Sequence, residues 1–224
     1  MKVSTAGLPA LALSALLSGC MLTDNGPSQQ GEPSKKSGVL MPLSSGNYWE
    51  YADSTFASDG SLSKVDTTRL EIRGSTQVEY QGRSLQVFYW HWSNEPDADW
   101  LVRNEDDGLY VYGGKSRKGL FVLGRSLALK SPAQAGESWR MAANAYRYAD
   151  SSFYVSDTLL TDCVSADSAV ATPAGTFHAS VHEYASGSVL TSDYYAVDKG
   201  FIGQVERENG RVTHTKTLRT YSVH

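Results

Sequence analysis

The chain has 224 residues, 41% hydrophobic and 20% charged, with 20 Gly and 7 Pro; that length can bury a sizeable core, and the balance excludes wholesale disorder or a collagen-like chain. A formal charge of −4 and a pI near 5.7 leave no basic excess of the kind a nucleic-acid binder needs. Two cysteines, Cys20 and Cys163, are too few for a disulfide framework.

Residues 1–19 carry one charge, Lys2, and an apolar stretch from Leu8 to Leu17. About ten apolar residues cannot cross a ~30 Å hydrocarbon layer, so the segment reads as a cleaved signal peptide. Leu17-Ser18-Gly19-Cys20 resembles the bacterial lipobox. The resemblance implies cleavage before Cys20, acylation of its thiol and of the new amino group, and a stable lipid anchor, since several chains hold where one does not. Met21, in place of Asp, implies sorting to the outer membrane of the bacterial envelope. Residues 20–39 are then the lipidated cysteine and a tether rich in Gly, Pro, Ser and Gln, too poor in apolar groups to offset the entropy of ordering.

From Leu40 onward the residues alternate between apolar and polar, with turn signals recurring about every 8–14 residues. Tyr48–Ser54, Lys64–Arg73, Val78–Tyr80 and Ser84–Trp92 read as strands, the last two joined at Gln81-Gly82. Trp100–Arg103 and Leu109–Tyr112 form a further hairpin. Phe153–Thr161, Cys163–Ala171, Thr176–Tyr184, Val189–Val197, Gln204–Arg207 and Arg211–Tyr221 continue the series, with Asn209-Gly210 as a strong two-residue hairpin signal. At most one short helix is expected, and only Gln134–Tyr148 could hold it, where Met141-Ala-Ala-Asn-Ala is rich in good helix formers. The fold class is all-β: residues 40–224 make one antiparallel domain, as a curved sheet, an open or half barrel, or a two-sheet sandwich.

Short motifs are spaced along this domain: Pro42-Leu43-Ser-Ser-Gly46-Asn47-Tyr-Trp49-Glu-Tyr51, Thr172-Pro173-Ala174-Gly175-Thr176-Phe177, and Tyr194-Tyr195-Ala196 with Gly200-Phe-Ile-Gly203-Gln-Val205. The pattern resembles a group of bacterial lipoproteins and secreted proteins that carry a Pro-Leu-x-x-Gly-Asn-x-Trp-x-Tyr opening, a Thr-Pro-Ala-Gly-Thr-Phe turn and a late Gly-containing strand. The resemblance implies no catalytic residues. The motifs read physically as turns, with Pro173 presetting φ and Gly175 free to take positive φ.

No catalytic constellation stands out. Gly108–Ser116 superficially resembles a phosphate-binding loop, but its spacing is one residue too long and Leu109–Tyr112 is itself a strand; it reads as a strand ending in a Gly113-Gly114 turn. His178 and His182 share a face of a strand about 13 Å apart, too far for one metal, and read as solvated or cavity-facing. Asp97-Ala98-Asp99 and Glu105-Asp106-Asp107 lack calcium-loop spacing. Cys163 reads as a small buried hydrophobe. No metal or cofactor is expected.

The aromatic run Phe88-Tyr89-Trp90-His91-Trp92 places Phe88, Trp90 and Trp92 on one face and Val87, Tyr89 and His91 on the other. The Trp90 face is expected in the core. An aromatic-lined concavity is the competing use of such a strand, with Tyr89, His91, Trp92, His178 and His182 as candidate ligand-facing residues. The expected function is a non-enzymatic, membrane-anchored lipoprotein that binds an envelope protein, lipid or glycan, or takes part in envelope assembly. A carrier or chaperone for an apolar ligand in a curved sheet is the alternative, and no nucleic-acid partner is expected.

Overall fold

The computed structural model describes residues 38–224. The expected signal peptide, the lipobox-like segment with Cys20 and the expected tether up to residue 37 lie outside the described residues. The tether's last residues, Gly38 and Val39, reach the domain: the Val39 amide donates to Asp198 Oδ1 at 3.0 Å and its carbonyl accepts from the Asp198 amide at 2.8 Å.

Twelve strands follow, with no helix among the described residues. They are β1 (Tyr48–Phe56), β2 (Leu62–Tyr80), β3 (Arg83–Trp92), β4 (Ala98–Glu105), β5 (Gly108–Ser116) and β6 (Gly119–Lys130), then β7 (Ser138–Arg147), β8 (Ser152–Thr172), β9 (Gly175–Ser186), β10 (Val189–Ala196), β11 (Gly200–Glu208) and β12 (Arg211–Ser222). All belong to one sheet in the order β6-β5-β4-β3-β2-β1-β12-β11-β10-β9-β8-β7. Every strand except at the β6–β7 step pairs antiparallel with its neighbour in the chain, and β1 pairs with β12, so the sheet curls into a nearly closed barrel. The edges β6 and β7 are consecutive in the chain and share no ladder. They form a seam, bridged near the turn by the Lys130–Glu137 ion pair and further along by Phe153, whose ring meets those of Phe121 and Trp100.

Local chemistry accounts for the hairpins. Gln81-Gly82 and Asn209-Gly210 take positive φ at both turn positions (50° and 73°; 50° and 79°), matching the twist of the flanking strands. β2 and β8 run for 19 and 21 residues, far beyond an ordinary strand. Bulges between Ile72 and Ser75, and between Cys163 and Ser168, bend them around the barrel. Val78–Tyr80 therefore continues Lys64–Arg73, and Cys163–Ala171 continues Phe153–Thr161.

Three segments are settled by the structure. The one left open to a short helix, within Gln134–Tyr148, is the edge strand β7, because its pairing with β8 from Ser138 to Arg147 overrides the helix propensity of its alanines. Gly119–Lys130 is a strand that the reading of turns passed over. Gly113-Gly114 is no turn: β5 runs through to Ser116 and turns at Arg117-Lys118. A Cβ at Gly113 would strike the Phe121 carbonyl of the adjoining strand β6, and one at Gly114 the Phe153 ring that reaches over from β8, so both glycines serve close packing.

The spaced motifs converge on one end of the barrel. Asn47 is fully buried; its Nδ2 donates to the Pro42 carbonyl at 3.1 Å and its Oδ1 accepts from the His224 amide at 3.0 Å. Trp49 and Tyr51, also fully buried, donate to the carbonyls of Lys199 and Phe201. Gly200 sits at φ +87°, where a Cβ would lie 2.8 Å from Met41 Sδ and 3.1 Å from the Trp49 ring. These residues belong to one core with Leu70, Ile72, Ile202 and Leu218. A second cluster, built on Val78, Val87, Leu101, Tyr110 and Tyr112, lies on the other face of β2–β5.

Candidate functional site

Beyond this packed end the barrel interior is not filled. A cavity of about 380 Å³ lies against the seam, within the range of small-molecule sites. β3 to β5 wall it with Trp90, Trp92, Trp100 and Val111; the edge strands add Leu129 from β6 and Met141 to Asn144 from β7. β8 to β10 supply Leu159, Thr161, His182, Tyr184, Asp193 and Tyr195. Most of the wall is apolar, and its polar groups gather on the β8–β10 side.

That polar side belongs to a row running through five strands. Register places Asp53 opposite Lys216, Lys216 opposite Gln204, Gln204 opposite Asp193, and Asp193 opposite His182. Lys216 Nζ lies 3.7 Å from Asp53 and 3.4 Å from Gln204 Oε1, and Gln204 Nε2 donates to Asp193 at 2.9 Å. Burial works to raise the Asp53 carboxyl, yet hydrogen bonds with Thr68 (2.7 Å) and His214, together with Lys216, hold it below its ordinary value. Among the described residues Asp193 has no cation so close. Burial pushes its carboxyl up to about 6, against the pull of Gln204 and Tyr184.

His182 ends the row with 1% exposure, and neither ring nitrogen has a hydrogen-bond partner among the described residues. Burial pushes its imidazole down to about 4, so it is neutral at pH 7. Trp139 meets it edge-on at 5.2 Å and Tyr195 at 5.8 Å. Thr161 Oγ1, Asn144 Oδ1 and Trp139 Nε1 are likewise buried and unpartnered among the described residues. Native interiors leave few such groups unpaired; here Thr161, Asn144 and His182 line one cavity.

The candidate residues separate. Trp92 and His182 line the cavity together. Tyr89 and His91 do not: alternation turns them to the opposite face, where Tyr89 packs on the second cluster and His91 Nδ1 bonds the Ala98 carbonyl (3.2 Å) and Asp99 (2.9 Å). His178, on the same strand as His182, is in solvent with Asp167 2.8 Å away. Trp90 is 9% exposed, belongs to the core and also walls the cavity, so the two uses weighed for its strand coexist. The acidic turns are engaged in ion pairs, Asp97 with Arg117, and Glu105 and Asp107 with Arg125. Among the described residues no group of three His, Cys, Asp or Glu side chains is placed to hold a metal. Cys163 is fully buried, and burial followed by the nearby Glu137 pushes its thiol up, away from the thiolate.

Thr161, Tyr184 and Asp193 were not singled out from sequence. Asp193 carried a signal, since a lone carboxylate in mid-strand is disfavoured unless the site uses it. A second cleft, about 650 Å³, lies at the packed end between the segment around Leu43 and Val223-His224; its wall includes Arg103, Asp198 and Lys199.

No protein-family model matches the chain, and no curated protein matches it. Two crystal structures resemble it weakly. One is a candidate exported protein with a YmcC-like fold from Bacteroides fragilis, 11% identical, with TM-score 0.43 over 83% of this chain and 99% of that one. The other is a candidate lipoprotein from Parabacteroides distasonis, 9% identical, with TM-score 0.39 over the same shares.

Proposed function

We propose that this chain is an envelope lipoprotein, acylated at Cys20 and sorted to the outer membrane, that holds a ligand with an apolar chain inside its barrel without transforming it. The observation that carries this reading is the cavity of about 380 Å³ walled by three tryptophans and by the edge strands of the seam. A core whose purpose was stability alone would be filled, because empty apolar volume costs about 24 cal/mol per Å³. The unladdered β6–β7 seam offers a route inward that parts no strand-to-strand hydrogen bonds.

Native mass spectrometry of the purified chain tests the ligand. The expected result is a retained small molecule above the mass of the covalently lipidated protein, lost when Ala128→Trp fills the wall. A bare chain whose tryptophan emission also ignores every alkyl probe would sink the reading. Palmitate labelling of wild type and Cys20→Ala tests the anchor separately; equal label in both overturns it.

A further inference from the structure

We infer that the ligand is an uncharged amphiphile, a single alkyl or acyl chain ending in a hydroxyl or amide that His182 and Thr161 bind. This inference rests on the reading of the cavity as a ligand site, and it names the head group.

His182 and Thr161 are 1% and 2% exposed, line the cavity and lack hydrogen-bond partners among the described residues. They are diagonal neighbours in the sheet: Thr161 opposes Tyr184 and Cys163 opposes His182 across the β8–β9 ladder. Trp139, opposite Thr161 on β7, brings a third unpartnered group, its Nε1, beside the same imidazole. A neutral imidazole presents one N–H and one lone pair, and a hydroxyl presents the same pair of functions. A hydroxyl or amide head group, donor and acceptor at once, satisfies both. A carboxylate accepts only, and would leave the imidazole lone pair and one hydroxyl function unmet.

Charge points the same way. Among the described residues no lysine or arginine lines the cavity, and Asp193 does. The closest lysine in the polar row, Lys216, is engaged by Asp53 and Gln204. An anionic head would enter a low-dielectric space beside a carboxyl with no free cation to meet it. A cationic head would find Asp193 already accepting from Gln204 and subject to the field of Lys216. Opposite these polar groups, the tryptophans and the seam strands receive the chain.

Tryptophan emission of the full chain carrying Cys20→Ser reads binding directly, because Trp90, Trp92 and Trp100 wall the cavity. Three twelve-carbon probes are titrated at pH 7.5 below their micelle concentrations: monolauroylglycerol, laurate and dodecyltrimethylammonium. The expected result is a Kd for monolauroylglycerol at least about tenfold below those of both charged probes, the scale of one or two net hydrogen bonds. His182→Leu and Thr161→Val are expected to erase that preference while still binding a dodecyl chain. Laurate or the ammonium binding as tightly as the glyceride overturns the head-group assignment and leaves the cavity reading standing. A folded His182→Leu protein with the preference intact overturns it equally. Should that variant not fold, the wild-type series alone decides. Silence toward all three probes is a different failure, that of the cavity reading itself, and takes the assignment with it.

Discussion

The two ends of the barrel interior are built from similar residues to opposite effect. At the packed end Trp49, Tyr51, Phe201 and Met41 interlock, each polar atom of the two larger rings finds a backbone carbonyl, and glycine at 200 is required because no Cβ fits. Beside the seam Trp90, Trp92 and Trp100 face open volume, and the buried polar atoms of Thr161 and His182 are left unpaired. The first region is complete by itself; the second is complete only with something in it. Aromatic content therefore does not distinguish a core from a site, whereas polar satisfaction does.

Truncating a ring at each end gives the widest expected contrast. Trp49→Ala should lower unfolding free energy by about 4–5 kcal/mol, and Trp90→Ala by about 3 kcal/mol, because one side of Trp90 already borders empty space. Urea denaturation of both variants checks this, and equal losses would break the distinction between the ends.

Next comes the pH dependence of the polar row. Folding holds the Asp193 proton up to about 6, whereas the unfolded carboxyl loses it near 3.8, so this group's contribution to stability falls as pH rises between those values. Two units correspond to about 3 kcal/mol. Relative to wild type, Asp193→Asn should therefore gain about that much between pH 3.5 and pH 7. His182 has the opposite sign. Its folded value near 4, against 6.5 unfolded, confers stability that is complete above pH 6.5 and lost as pH falls toward 4. His182→Leu should remove that acid loss. Urea melts across pH 3.5–7.5 separate the two, and parallel curves for wild type and both variants would show that neither group is desolvated.

Gly200→Ala tests the packed end at a single methyl. With φ at +87° and Met41 Sδ 2.8 Å from the added carbon, the expected loss is about 2–3 kcal/mol, read as a lowered melting temperature. The smallest effect belongs to the hollow side. Ala128→Leu adds volume to the cavity wall and should move stability by less than about 1 kcal/mol while weakening uptake of an alkyl probe. A large loss there would mean that the cavity has no room for it.

Much of this was legible in the sequence, for reasons that are local. Side-chain alternation along Phe88–Trp92 sorted its two faces correctly, since a strand's period of two depends on nothing beyond the strand. Asn209-Gly210 and Gln81-Gly82 marked their hairpins because few residue pairs tolerate positive φ twice. Propensity left one segment open: the alanines of 141–145 favour a helix in isolation, and the neighbouring strand β8 makes them a strand.

What the sequence by itself determined is therefore the all-β class, the Gln81-Gly82 and Asn209-Gly210 turns and the two faces of Phe88–Trp92, all set by interactions between residues close in the chain. The site was decided by tertiary structure. Asp53 and His214 stand 161 positions apart and meet because β1 pairs with β12. Asp193 and His182 become one row with Lys216 and Gln204 only through the register of five strands. Alternation told that His178 and His182 share a face and could not tell that one is in solvent and the other buried. Burial depends on how far the sheet curls and what lies across the interior, and no single strand carries that information.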